Sequence, residues 1–139
     1  MKRPRVVTIC GSTRFADQHA IARWEMEKTG EVICLMINYL PAVYGESIGL
    51  KHTDHFGEQL GLKELLDELH FRKIDLSDEV YVVNVDGYIG ESTRREMAYA
   101  MAQGKPIRFM HPNSGEYWLG CHSHEMGQLV AEFTAATAP

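Results

Sequence analysis

The feature that most constrains this chain is a short β-branched run that passes through a glycine-hydroxyl turn straight into a helical pattern. Val6-Val7-Thr8-Ile9-Cys10 is apolar and of strand length, and Gly11-Ser12-Thr13-Arg14 follows it without a spacer. Phe15, Ala16, Ala20, Ile21, Trp24 and Met26 then recur mostly at helical spacing over residues 15–28, with Gly30 placed to stop that helix. A strand that feeds a helix in this way opens a βαβ unit, whose helix must cover a sheet face.

The alternation continues down the chain. Val32-Ile33-Cys34-Leu35-Met36-Ile37 is a second continuous apolar run, as expected of a parallel strand covered on both faces. Residues 38–56 carry Pro41, Gly45 and Gly49 together with Tyr39, Tyr44, His52 and His55, and read as a long loop of the kind that is functional or mobile. A helix is expected over residues 58–72, with Leu60, Leu62, Leu65, Leu66 and Leu69 as its apolar side. Glu79-Val80-Tyr81-Val82-Val83-Asn84-Val85 is the next strand, introduced by Asp78. After the loop Asp86-Gly87-Tyr88-Ile89-Gly90-Glu91, a helix is predicted from about Ser92 to Gln103, stopped by Gly104 and Pro106. Ile107-Arg108-Phe109-Met110 is a further strand, and a terminal helix is expected over residues 123–135.

These elements predict a single α/β domain over residues 1–139, built on an open, mainly parallel sheet flanked by helices, flavodoxin- or Rossmann-like. Such sheets hold ligands at the carboxyl ends of their strands, which places both glycine-containing loops on the functional edge. A chain of 139 residues with 45% hydrophobic and 24% charged residues is ordinary for one folded core.

A net charge of −5 argues against a nucleic-acid polymer as partner, but leaves room for a small anionic ligand. No apolar stretch reaches membrane-spanning length and no signal-peptide core follows the first residues, so a cytoplasmic location without membrane contact is expected. Cys10, Cys34 and Cys121 are odd in number and widely spaced, which suits reduced, buried thiols.

Two constellations carry chemistry. In Gly11-Ser12-Thr13-Arg14, backbone N–H groups, a helix dipole, two hydroxyls and a guanidinium can converge on an anion; the same residues also suit a turn with Ser12 or Thr13 as N-cap. In Ser92-Thr93-Arg94-Arg95-Glu96, the Thr93 to Glu96 spacing matches a capping box, which would send Glu96 back to the helix end. Alternatively, Ser92 and Glu96 are four apart and share a helix face turned to the cleft. His52-Thr53-Asp54-His55 and Cys121-His122-Ser123-His124 lack tetrahedral zinc spacing, so no metal and no cofactor are expected.

Ser77-Asp78-Glu79-Val80-Tyr81-Val82-Val83, then Gly90-Glu91-Ser92-Thr93-Arg94-Arg95-Glu96-Met97-Ala98-Tyr99-Ala100 and Gly104-Lys105-Pro106, resemble the nucleoside 2-deoxyribosyltransferase family, which includes the 2′-deoxynucleoside 5′-phosphate N-hydrolases. Cys10-Gly11-Ser12-Thr13-Arg14 is similar to the first loop of the phosphate-using members. The resemblance spans about residues 6–110. It implies an N-glycosidic substrate, a nucleoside or nucleoside 5′-monophosphate, with Glu96 as nucleophile and Ser12 and Arg14 on the phosphate. Gly11, Thr13, Gly90, Ser92 and Thr93 would line the substrate, and Tyr88 either stacks on the base or serves as an aromatic packing residue.

The family usually carries an Asp about eight residues before the Ser/Asn-Asp pair; His70 holds that register here, and the nearest acidic residue is Asp75. His70 or Asp86 is then the candidate to protonate the leaving base. Members commonly complete their sites with a neighbouring subunit, so a homo-oligomer, a dimer or larger, is expected. Two other readings stand beside this one. The first is a phosphoribohydrolase of the cytokinin-activating type, whose Pro-Gly-Gly-x-Gly-Thr-x-x-Glu pattern this chain only partly shares. The second is a nucleotide sensor that keeps the fold without the catalysis.

Overall fold

The computed structural model describes residues 2–50 and 56–111. The expected terminal helix and the His52/His55 and Cys121–His124 sets lie outside the described residues. Four strands, β1 (Arg5–Gly11), β2 (Val32–Leu35), β3 (Glu79–Val83) and β4 (Ile107–Phe109), form one parallel sheet in the order β2-β1-β3-β4. The chain leaves β1 toward β2 on one side and β3 toward β4 on the other. The β1/β3 boundary is therefore the switch point, where an open α/β sheet parts into a crevice.

The helices are α1 (Ala16–Glu27), α2 (Ala42–Ser47), α3 (Phe56–Gln59), α4 (Lys63–Leu76) and α5 (Glu91–Ala102). α4 and α5 pack together on one sheet face, where Cys10, Ile74, Val80, Val82, Met97 and Ile107 form a core. On the opposite face Ala22 of α1 joins Val7, Ile9, Val32, Cys34 and Val83. Short side chains on α5, Ala98 and Ala100, let it approach the sheet closely.

Polar anchors fix the central pair. Asp78 donates its backbone N–H to the Val6 carbonyl at 2.7 Å, and its carboxylate accepts the Val6 N–H at 2.8 Å. The Ser77 hydroxyl and the Lys105 ammonium both donate to the Ile74 carbonyl, and Lys105 also reaches the Asp75 carbonyl, so two of the open carbonyls at the end of α4 are satisfied. Beyond β3, Asn84 and His111 exchange two hydrogen bonds at 2.8 and 2.9 Å and tie the two strand exits together.

Several local expectations are corrected. The expected long loop contains α2, and the helix foreseen over residues 58–72 is two helices broken at Gly61, whose φ of +71° lies in the left-handed region. Its leucines do not face the core: Leu60, Leu62, Leu65 and Leu69 are exposed, whereas His70 and Ile74 are buried. At 100° per residue, Leu62, Leu65, Leu69 and Leu76 fall within about 60° of one another, and Lys63, Leu66, Asp67, His70 and Ile74 form a separate face about 120° away. α4 turns the mixed face inward because its first half borders the crevice and only its last turn meets the sheet core. On α1, Ile21 and Trp24 are likewise exposed, and His19 and Ala22 are the buried residues. Ile33 is 45% exposed because β2 is an edge strand.

Ile74→Ala should therefore cost about 2–5 kcal/mol by opening a core cavity. Ile21→Ala, on the solvent side of α1, should stay within about 0.5 kcal/mol. Urea unfolding of both variants checks the inversion; equal losses would return Ile21 to the core.

Candidate active site

A cleft of about 360 Å³ opens over the carboxyl ends of β1 and β3, within the size range of small-molecule sites. Gly11, Ser12, Thr13 and Arg14 form one wall; His70 of α4 and Tyr88, Gly90, Ser92, Thr93 and Glu96, on and before α5, form the others. All these residues were expected at the site. Asp86 is not among the lining residues: it is exposed, on the 3-10 turn Val85–Gly87, with a left-handed φ of 54°.

The β1 loop is built on a close approach. Gly11 has φ +153°, and a Cβ there would come within 2.8 Å of the Val83 carbonyl oxygen and 2.9 Å of His19 Nε2. Ser12 caps the 3-10 turn Thr13–Phe15, its hydroxyl accepting the Arg14 N–H at 3.3 Å, and it still borders the cleft. Capping and ligand lining are thus compatible at Ser12. His19 Nε2 lies 3.2 Å from the Ser12 carbonyl; a carbonyl only accepts, so Nε2 carries the proton, and buried Nδ1 has no partner. Burial lowers the His19 pKa to about 4, against the opposing effect of the Ser12 carbonyl.

Arg14 lies over the Tyr88 ring, its guanidinium carbon 4.6 Å from the centroid, and Phe15 meets the same ring edge-on at 6.0 Å. One face of Tyr88 is therefore taken by Arg14. A base stacking on Tyr88 has only the remaining exposed surface of the ring.

At the other wall, the capping-box explanation of Glu96 is excluded. α5 begins at Glu91 with Gly90 as N-cap and no side-chain cap, so Glu96 lies more than a turn inside the helix and cannot reach back. It is instead buried beside His70, with Oε2 3.7 Å from His70 Nε2 and without a hydrogen-bond partner. Burial pushes Glu96 up to about 8; Asp67 adds to the rise, while the Cys10 thiol, Arg95 and Lys63 oppose it. Burial likewise pulls His70 down to about 3, with Lys73 and His19 contributing. The pair is thus a neutral imidazole against a carboxyl group largely neutral at pH 7, not an ion pair.

Cys10 completes this cluster, its Sγ 3.3 Å from His70 Nε2. Read from the sequence only as a buried small residue, it is wholly buried beside His70 and Glu96, and burial and Glu96 raise its thiol pKa well above the ordinary value. Cys10, His70 and Glu96 each offer a ligand atom within 4.8 Å of the others. Lys63 and Asp67 also line the cleft, paired at 2.6 Å, with the Lys63 ammonium 3.4 Å from the Ser92 hydroxyl. Lys63, Asp67 and His70, at i, i+4 and i+7, were legible as one helix face, but the leucine stripe masked it. The chain matches no family model, and no curated protein matches it.

His19 gives the site a measurable acid sensitivity. The unfolded chain takes up a proton near pH 6.5 and the folded one only near 4, so this contribution is whole above 6.5 and lost as pH falls through that window, by at most about 3 kcal/mol. His19→Gln should flatten the fall in urea-derived stability between pH 6.5 and 4; an unchanged slope would remove His19 as a source.

Proposed function

We propose that this protein cleaves or transfers at the N-glycosidic bond of a nucleoside or nucleoside 5′-monophosphate, with Glu96 as nucleophile. The observation that carries this reading is a buried carboxyl group with an unpartnered oxygen, in the same cleft as a strand-to-helix loop rich in anion donors. A phosphate on Gly11–Arg14 would hold the sugar in the crevice, and the anomeric carbon would be brought against Glu96 Oε2.

In the reaction, Glu96 oxygen bonds to C1′ as the C1′–N bond breaks and its electron pair leaves with the base. The carboxyl proton ends on that base, so a neutral acid and a neutral glycoside become an ester and a neutral base. His70, beside Oε2, is placed to relay the proton; Asp86, away from the cleft, is the weaker candidate. Asp67 supplies a second carboxylate to the cleft. Water then resolves the ester in hydrolysis, or an acceptor base in transfer. Positive charge at C1′ in the transition state supplies what burial withholds from the Glu96 carboxylate.

Association of chains belongs to the same proposal. Leu62, Leu65, Leu69 and Leu76 are 41–70% exposed along one side of α4, about 120° around the helix from the face that lines the cleft. A second copy packed on this stripe would bury it and close the crevice rim. Among the described residues no helix is long and apolar enough to cross a membrane.

Glu96→Gln should retain the fold and stop release of free base from a panel of nucleosides and 5′-monophosphates, followed by chromatography; wild-type turnover would remove the nucleophile. Release from ribonucleotides alone would favour the phosphoribohydrolase reading, and tight binding without release would favour a sensor.

Arg14→Ala should weaken monophosphate binding by about 1.5–3 kcal/mol more than nucleoside binding. Equal losses in calorimetry would place the phosphate elsewhere.

Light scattering should give at least twice the chain mass, and Leu65→Glu should reduce it to one chain. A monomeric, fully active wild type would discard the assembly.

A further inference from the structure

We propose that Cys10, His70 and Glu96 form a binding site for a zinc-class divalent cation, with the fourth coordination position open to the cleft. The three donors come from the end of β1, from α4 and from α5. They offer a sulfur, an imidazole nitrogen and a carboxylate oxygen within 4.8 Å of one another. Tetrahedral zinc with ordinary bond lengths sets sulfur and nitrogen about 3.6 Å apart and nitrogen and oxygen about 3.4 Å apart. The chain holds them at 3.3 Å and 3.7 Å, within a few tenths of an ångström of those two edges, and the sulfur and the carboxylate oxygen lie within 4.8 Å of each other.

Glu96 supplies the independent observation. Its side chain is nine-tenths buried and Oε2 makes no hydrogen bond of ordinary geometry, the carboxyl being eased by the neighbouring Cys10 thiol, an arrangement that costs free energy unless something occupies that direction. A sulfur and nitrogen donor pair selects zinc or cobalt over magnesium or calcium. His70 and Glu96 border the cleft and Cys10 is fully buried beside them, so solvent or a ligand atom can reach the fourth position from the cleft side. On binding, the Cys10 thiol and the Glu96 carboxyl each release a proton to solvent, and His70 binds as the neutral imidazole.

The site rests on this geometry and not on the glycosidase reading. It has a consequence for that reading: a coordinated Glu96 cannot attack C1′, so Zn²⁺ would inhibit base release rather than support it.

Co²⁺ added to the reduced full chain without nucleoside is the direct probe. One equivalent should produce a thiolate-to-cobalt charge-transfer band and intense tetrahedral visible absorption, and Zn²⁺ should bleach both. Cys10→Ala should abolish the charge-transfer band, while Cys34→Ala and Cys121→Ala should retain it. Glu96→Gln, which keeps the thiolate, should retain the band but weaken Co²⁺ binding by at least about tenfold. Absence of a band in the wild type, its survival in Cys10→Ala, or unchanged affinity in Glu96→Gln would each overturn the site. Because the readout is optical and uses no nucleoside, its failure leaves the glycosidase reading standing. A metal band in a chain that releases no base would separate them the other way.

Discussion

β1 pairs with β3 up to Gly11 opposite Val83, and because successive side chains leave a strand on opposite faces, this register decides where each residue at the strand end lands. Cys10 is directed to the face covered by α4 and α5, where it meets His70 and lies beside Glu96. Gly11, one residue on, turns to the α1 face, where His19 leaves no room for a Cβ. A slip of one residue would put a side chain against His19 and take the thiol out of the cluster. The Asp78 bonds to Val6 at the other end of the same strand pair hold that register.

From this pairing follows an unusual concentration of buried polar groups. His19, His70 and Glu96 are all removed from water, and for each the largest effect on its proton affinity is desolvation. Their neutral forms are therefore the stable ones in the free protein. A neutral cluster can persist in a core where charged groups would need full pairing. The same desolvation leaves Glu96 responsive to positive charge brought into the cleft, whether at a sugar carbon or on a metal ion.

The segments on which the proposed glycosidase reading draws have structural duties of their own. Asp78 pins β3 to β1, Ser77 and Lys105 finish α4, and Gly90 starts α5 so that Glu96 lies a turn further in. These residues are thus accounted for by what this arrangement of strands and helices requires. What is left for the proposed chemistry is Glu96 and the Gly11–Arg14 loop, which share one cleft.

Local chemistry in the sequence was enough for the parallel sheet, the strand–loop–helix opening and the Gly11–Arg14 wall of the cleft. Apolar β-branched runs, glycine stops and helical spacing act over a few residues and need no tertiary context. The α4 leucines show where this reasoning ends: periodicity identifies an apolar stripe but not what it packs against, and here the stripe lies outward while His70 and Ile74 face in. Capping was also undecidable at that level, because a shift of the α5 start to Glu91 moves Glu96 from a cap to the cleft. The Cys10–His70–Glu96 cluster was beyond sequence reading altogether, since its members lie 60 and 26 residues apart and meet only through the β1 register and the docking of α4 against α5.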